Sequence, residues 1–148
     1  FMCGLEELRV GGLVPADSRI MLVDANRPLF SRSQLEELLD ESCVEQGACL
    51  ARPVVNGVAE VSGESIVTVP DKESFVEFVT PEIGSLAAIE AAERTGGPLP
   101  RSIVECQLQF GRTPRIVAAT DFNLKLTHPE DRQALEALAA ARLTPSFA

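Results

Sequence analysis

Three short stretches of this 148-residue sequence combine residue types that could handle phosphates and hydroxyls. In the first, Asp24-Ala25-Asn26-Arg27-Pro28 follows directly on the apolar run Ile20-Met21-Leu22-Val23. A carboxylate there can accept from hydroxyls or help hold a cation, and a guanidinium can fork onto a phosphate. In the second, Lys125 lies between Leu124 and Leu126, just upstream of a capped helix pattern. An ammonium near a helix N-terminus suits an anion, since the first-turn amides favour negative charge. The third is Asp71-Lys72, at the far base of a hairpin pattern. Each has a plainer reading: an Asx turn with a surface arginine, an alternating strand with a solvent-facing lysine, and a solvated ion pair.

The other reactive side chains form no pattern. Cys3, Cys43, Cys49 and Cys106 show no CxxC spacing, and His128 is the single histidine. Neither a structural zinc site nor a disulfide framework is expected, because both need clustered ligands. No protein-borne metal site is expected either.

Alternating strand and helix patterns must carry these groups. Ile20–Val23 reads as a strand buried on both faces. Ser33 with Glu36 has the spacing of a capping box, Leu35, Leu38, Leu39 and Val44 share a helical face, and Gly47 can end that helix. Ala48 to Val55 reads as the next strand. Strand, helix, strand in this span is a βαβ unit and implies a parallel sheet. Val58–Val61 and Ile66–Val69 then flank Ser62-Gly63-Glu64-Ser65, a hairpin that either projects as an oligomerisation arm or folds back on its own domain.

Further on, Thr80-Pro81-Glu82 has the signature of a helix start, closed by Gly96-Gly97. Ser102 to Phe110 is a short helix ending at Gly111. Arg115–Ala119 is another buried strand, and Leu124 to Leu126 a second extended piece. Thr127-His128-Pro129-Glu130 spaces a capping box ahead of an Ala/Leu helix from Asp131 to Arg142, and a tail follows Thr144. In an open parallel sheet, ligands bind beyond the carboxyl ends of the strands, where all three stretches, with Asp24, Lys125 and Asp71-Lys72, are expected to fall.

Composition narrows the classes. Twenty-two acids against thirteen Lys plus Arg give a net charge of −9, which speaks against a backbone-tracking nucleic-acid binder. Only the last third, 101–148, is not acidic, with five acids and six bases. Every uncharged run is far shorter than the roughly 20 apolar residues of a membrane span. Glu6, Glu7 and Arg9 interrupt any apolar signal region, so a reducing cytoplasm is the expected location.

The same stretches carry a resemblance. The string VDANRPL at Val23 to Leu29 resembles the HDAARP segment of 2-C-methyl-D-erythritol 4-phosphate cytidylyltransferases, and NLKLTHPED at Asn123 to Asp131 resembles their NIKxTxPED segment. Between them, Ala51-Arg52-Pro53-Val54-Val55 is similar to the strand entering the family's β-arm. Asp71-Lys72 falls where that arm returns with Asp-Arg, and Val79-Thr80-Pro81-Glu82 is similar to its TPQ segment. The resemblance implies a Rossmann-like, mostly parallel sheet flanked by helices, with a protruding hairpin arm at about 56–72. It also implies a homodimer built by exchanged arms, and transfer of CMP from CTP to a polyol phosphate such as 2-C-methyl-D-erythritol 4-phosphate, a step towards isoprenoid precursors. Lys125 would be catalytic, neutralising charge on the attacking and transferred phosphates. Asp24 would contact substrate hydroxyls, Arg27 would support that site, and Lys72 would reach the substrate phosphate from the partner's arm. Mg²⁺ would be held mainly by the nucleotide phosphates.

Departures accompany the matches. Gly57 stands where the family's arm carries a substrate-binding Thr, Lys72 replaces an arginine, and Arg101-Ser102-Ile103-Val104-Glu105 replaces a TDEAS helix start. Gly11-Gly12 does not have the form of the family's Gly-rich, basic nucleotide loop, which lies in an earlier segment. The chain is therefore expected to be one nucleotidyltransferase-like domain over 1–148 that lacks its N-terminal segment. The alternative is a non-catalytic sugar-phosphate-binding or dimerisation module derived from that family.

Overall fold

The computed structural model describes residues 14–15, 17–94, 100–120 and 123–143. The elements run β1 (Arg19–Leu22), α1 (Arg32–Glu41), β2 (Ala48–Pro53), β3 (Glu60–Ser62), β4 (Ser65–Thr68) and β5 (Val76–Ser85). They continue as α2 (Leu86–Arg94), α3 (Ile103–Gln109), β6 (Arg115–Ala118) and α4 (Asp131–Leu143). One sheet has the strand order β1-β5-β2-β6. β5 is antiparallel to both of its neighbours, whereas β2 and β6 are parallel. β1, β2 and β6 therefore point the same way and bring their carboxyl ends to one edge.

The α/β architecture agrees with the expectation, but the sheet is mixed, with β5 inserted between the two strands of the expected βαβ unit. Thr80-Pro81-Glu82 does not start a helix; it lies inside β5, and α2 begins at Leu86. Glu82 pairs with Leu22 on one side and Cys49 on the other, and this pairing overrides the local cap signal. Pro81 is tolerated because it falls at a register shift opposite Cys49/Leu50, where the ladder is already interrupted. The true cap of α2 is Ser85, whose hydroxyl accepts from the Ala88 amide at 3.1 Å.

The sheet is covered on both faces. On one, Leu38 of α1 packs with Ala48, Leu50, Val79, Ile83 and Val117, and Met21 joins them from β1. On the other, Leu86, Ile89 and Ala92 of α2 meet Ile103 and Cys106 of α3, joined by Ile20 and Leu22. Successive β1 residues thus feed opposite faces, as strand alternation requires. Yet β1 is half-buried, not buried on both faces as expected, because it is the edge strand among the described residues.

Gly84 marks how closely α3 approaches β5. A Cβ there would meet Ile103 Cγ2 at 2.5 Å, with the Gln107 side chain beside it. Gly84→Ala is expected to destabilise the fold by about 1–3 kcal/mol through overpacking, read as a lower urea midpoint at unchanged slope.

Helix ends differ in detail from the sequence reading. α1 is capped by Ser31, which accepts from the Gln34 amide, not by Ser33 with Glu36. It stops at Glu41, well before Gly47, and Arg19 Nη1 covers its last carbonyls by donating to Leu39 O and Ser42 O. Gly47 instead packs against the Ile83 carbonyl, where a side chain has no room. β2 ends at Pro53, short of Val55, and Leu124–Leu126 form no strand. Ahead of α4, Asp131, and not a Thr127/Glu130 box, accepts from the Thr127 and His128 amides, both at 2.8 Å. Those two bonds hold its carboxyl below the usual range.

β3 and β4 form a two-stranded arm turning at Gly63, whose φ of +59° suits glycine. Every residue of both strands is exposed, so the arm projects and does not fold back. Gly11-Gly12, Cys3, Gly96-Gly97 and the tail after Thr144 lie outside the described residues.

Candidate functional site

The carboxyl end of β1, the middle of β5 and the loop after β6 open onto a cleft of about 450 Å³, lined by Asp24, Arg27, Thr80, Glu82, Arg101, Ser102, Glu105 and Lys125 among others. Asp24 stands two residues beyond β1, and its amide donates to Thr80 Oγ1 at 3.3 Å, tying the loop to β5. Arg27 reaches back to Asp24 Oδ2 at 3.3 Å and donates through Nη1 to Asn123 O at 2.7 Å. Lys125 Nζ lies 3.4 Å from the same Asp24 Oδ2. One carboxylate oxygen is thus shared by two cations that come from loops about a hundred residues apart.

Two hydrogen bonds, one between backbones and one from a side chain, clamp those loops together. Leu126 N donates to Asn26 O at 2.8 Å, and Asn26 Nδ2 donates to Leu126 O at 3.0 Å. Asn123, buried, donates through Nδ2 to Thr80 O at 2.7 Å. Three elements therefore fix the spacing of Asp24, Arg27 and Lys125, a preorganisation that suits electrostatic work. Asp24 and Arg27 face the same cleft as Lys125; Lys72 does not.

Lys72 sits at the base of the arm, where its Nζ donates to Val55 O at 3.2 Å. It begins a single 3-10 turn capped by Asp71, whose carboxylate accepts from the Glu73 amide at 3.1 Å. Its own recess, of about 410 Å³, is lined by Pro53, Val54, Glu73, Phe75 and Val76 and shares no residue with the cleft.

Sequence reading overlooked Glu82. Only 3% exposed, it sits at the back of the cleft, and its Oε2 accepts from the Val104 amide at the start of α3, at 3.0 Å. Burial pushes its carboxyl above the ordinary value, and the Asp24 and Glu105 charges push the same way, while the Val104 and Ile103 amides oppose them. A lone acid within a β-branched, apolar run was the available signal, hidden by the cap-like Thr80-Pro81. Because the folded value exceeds the unfolded one, this group's stabilisation is full below the unfolded value and is lost as pH rises through the folded one. The urea midpoint should fall over that window, and Glu82→Gln should remove this part of the fall.

Arg101, Ser102 and Glu105 rim the cleft opposite Lys125. Ser102 caps α3 by accepting from the Glu105 amide at 3.1 Å, and the Glu105 carboxylate accepts from the Arg101 amide at 2.7 Å. This reciprocal pair stands at the segment that departs from TDEAS. Cys49 and Cys106, both buried, have thiols pushed up to about 11, chiefly by burial and then by the charge of Glu82. They are packing residues, not nucleophiles. Among the described residues no group of three or more His, Cys, Asp or Glu could hold a metal ion.

Residues 8–141 match the sequence profile of the 2-C-methyl-D-erythritol 4-phosphate cytidylyltransferases. The chain belongs to this family. The cytidylyltransferase of Halorhodospira halophila is 31% identical over 140 residues, which cover 91% of this chain and 56% of that protein. The Halalkalibacterium halodurans relative is 29% identical, covering 94% of this chain and 60% of its own length. The chain thus spans somewhat over half the length of the curated relatives it matches. A solved 4-diphosphocytidyl-2C-methyl-D-erythritol synthase superposes with a TM-score of 0.78 at 22% identity, over 93% of this chain and 63% of the other. The Francisella tularensis cytidylyltransferase follows at 0.77 and 20% identity, over 91% and 65%. These superpositions bear on the fold, which the chain shares with solved members of the family. No helix among the described residues is long and apolar enough to cross a membrane.

Proposed function

We propose that this chain supplies the acceptor-binding part of an enzyme that transfers CMP from CTP to 2-C-methyl-D-erythritol 4-phosphate. The carrying observation is the shared Asp24 carboxylate between Arg27 and Lys125 at the strand ends, in a chain of this family. An oxygen of the polyol phosphate attacks the α-phosphorus of CTP, the bond to the β-phosphate breaks, and pyrophosphate leaves. Lys125, 44% exposed and aimed into the cleft, neutralises the negative charge that gathers as the two phosphates approach. Asp24 accepts from the polyol hydroxyls, and Arg27 holds Asp24 in place. Mg²⁺, when bound, would be held mainly by the nucleotide phosphates and would supply charge neutralisation there.

The arm joins this reading. Its exposed Val61, Ile66, Val67 and Val69 form an apolar surface that a second copy can cover, carrying Lys72 to the partner's cleft. The three described cysteines are free thiols, in keeping with a cytoplasmic enzyme. No observation in the cleft favours the non-catalytic alternative.

The test is pyrophosphate release from CTP, Mg²⁺ and a panel of polyol phosphates, run on this chain and on the product of the full reading frame. Release that depends on the methylerythritol phosphate is expected; silence from both proteins with every acceptor overturns the assignment. If the arm acts in trans, mixing Lys72→Ala with Lys125→Ala subunits restores activity that neither has alone, because one site per mixed dimer is intact.

A further inference from the structure

Six ionisable side chains line the cleft: Asp24, Glu82 and Glu105 against Arg27, Arg101 and Lys125. Asp24, Arg27 and Lys125 are bound to one another, and Arg101 Nη2 lies 3.4 Å from Glu105 Oε1. Glu82 is the exception. Its Oε2 accepts from the Val104 backbone amide, and among the described residues no cation forms an ion pair with its carboxyl. With Glu82 ionised the three acids balance the three cations; with it neutral, the cleft gains one net positive charge.

Every packed element bears on it. The loop after β1 presents Asp24 and Arg27, β2 the neutral Cys49, α3 Glu105 and Cys106, and the loop ahead of α3 Arg101. Lys125 comes from the loop after β6. An anion entering this space meets a buried carboxyl whose neighbours already disfavour its charge. We infer that Glu82 is a specificity-determining residue of the cleft, and that binding of a phosphate ester is coupled to protonation of its carboxyl. The inference rests on reading the cleft as a phosphate site. The coupling is electrostatic. The ionised carboxylate repels the incoming anion across a low-dielectric space, whereas the neutral acid leaves Arg27, Arg101 and Lys125 in excess.

The Val104 amide, bonded to Glu82, gives a direct readout. Its chemical shift is expected to titrate in the wild-type chain with a midpoint above the ordinary carboxylate range, and to be flat in Glu82→Gln. Sulfate serves as the probe, because its charge does not change with pH as that of a phosphate ester does. Adding sulfate should raise the Val104 midpoint. Sulfate affinity should weaken as pH rises through that midpoint in the wild type, and stay level in Glu82→Gln. Above the midpoint the variant should bind roughly fivefold more tightly, the size expected for removing one like charge at close range. Should Glu82→Gln fail to fold, Glu105→Gln removes a neighbouring charge and should lower the midpoint instead.

A Val104 midpoint that ignores sulfate, or a variant that keeps the wild-type pH slope, overturns the role of Glu82 while leaving the phosphate site intact. If neither sulfate nor methylerythritol phosphate perturbs the amides of Asp24 and Lys125 at any pH, the phosphate site falls and the role of Glu82 falls with it.

Discussion

Lys125→Ala is expected to lower the rate of pyrophosphate release by about 10²–10³-fold, the loss typical of removing one preorganised charge from a transition state. The fold should scarcely notice. Lys125 is almost half exposed and its ion pair with Asp24 is 3.4 Å long, so the pair is worth less than about 1 kcal/mol to stability. That contrast is the diagnostic. A variant with wild-type urea midpoint and a collapsed kcat places Lys125 at the reacting phosphates, whereas wild-type turnover removes it from the mechanism. Lys125→Arg should recover part of the rate, because the charge is kept while its geometry changes.

Arg27→Ala is expected to act on both ledgers. Among the described residues the guanidinium alone joins Asp24 to the Asn123 backbone, and its side chain is only 14% exposed. Its loss leaves a part-buried carboxylate short of a partner and the Asn123 carbonyl without its donor, for about 2–3 kcal/mol of stability. With the clamp open, Asp24 no longer faces the substrate hydroxyls in a fixed position, so KM for the polyol phosphate should rise. Arg27→Lys keeps the charge but has no fork to span both acceptors, so it should rescue only part of either effect. Stability and KM both at wild-type levels would show that the Asn123–Thr80 bond and the Lys125 contact hold the site without Arg27.

Most elements could be read from local pattern. β2, β6, the hairpin arm and α3 fall within a residue or two of their expected places; β2, the arm and α3 each adjoin a turn glycine or a capping serine, and β6 is a short apolar run entered after Pro114. Asp24 and Arg27 were legible as candidates because polar groups directly after an apolar strand stand out, Lys125 because it splits two leucines ahead of a capped helix pattern, and all three because two strings carry the family resemblance. What failed had a common cause. Thr80-Pro81 satisfies the local rule for a helix start, yet β1 and β2 offer hydrogen-bonding partners on both sides of β5, and sequence spacing holds no record of which strands lie adjacent. Ser33 lost the cap of α1 to Ser31, two residues away, and Asp131 took the amides expected of Thr127, because several polar residues compete at each helix end and geometry chooses among them.

The amino-acid sequence by itself determined the family, the α/β class, the acidic surface charge and the three polar stretches that could meet a phosphate. Those properties depend on residue type and spacing along the chain, and they survive without knowledge of neighbours. The tertiary structure alone decided that Asp24 is shared by Arg27 and Lys125, that Lys72 lies in a separate recess, and that Glu82 is buried behind the cleft against the backbone amides at the start of α3. These are relations between segments up to about a hundred residues apart, and they arise when β5 inserts between β1 and β2. The charge of a group such as Glu82 is set by what surrounds it after that insertion, through burial first and neighbouring carboxylates second.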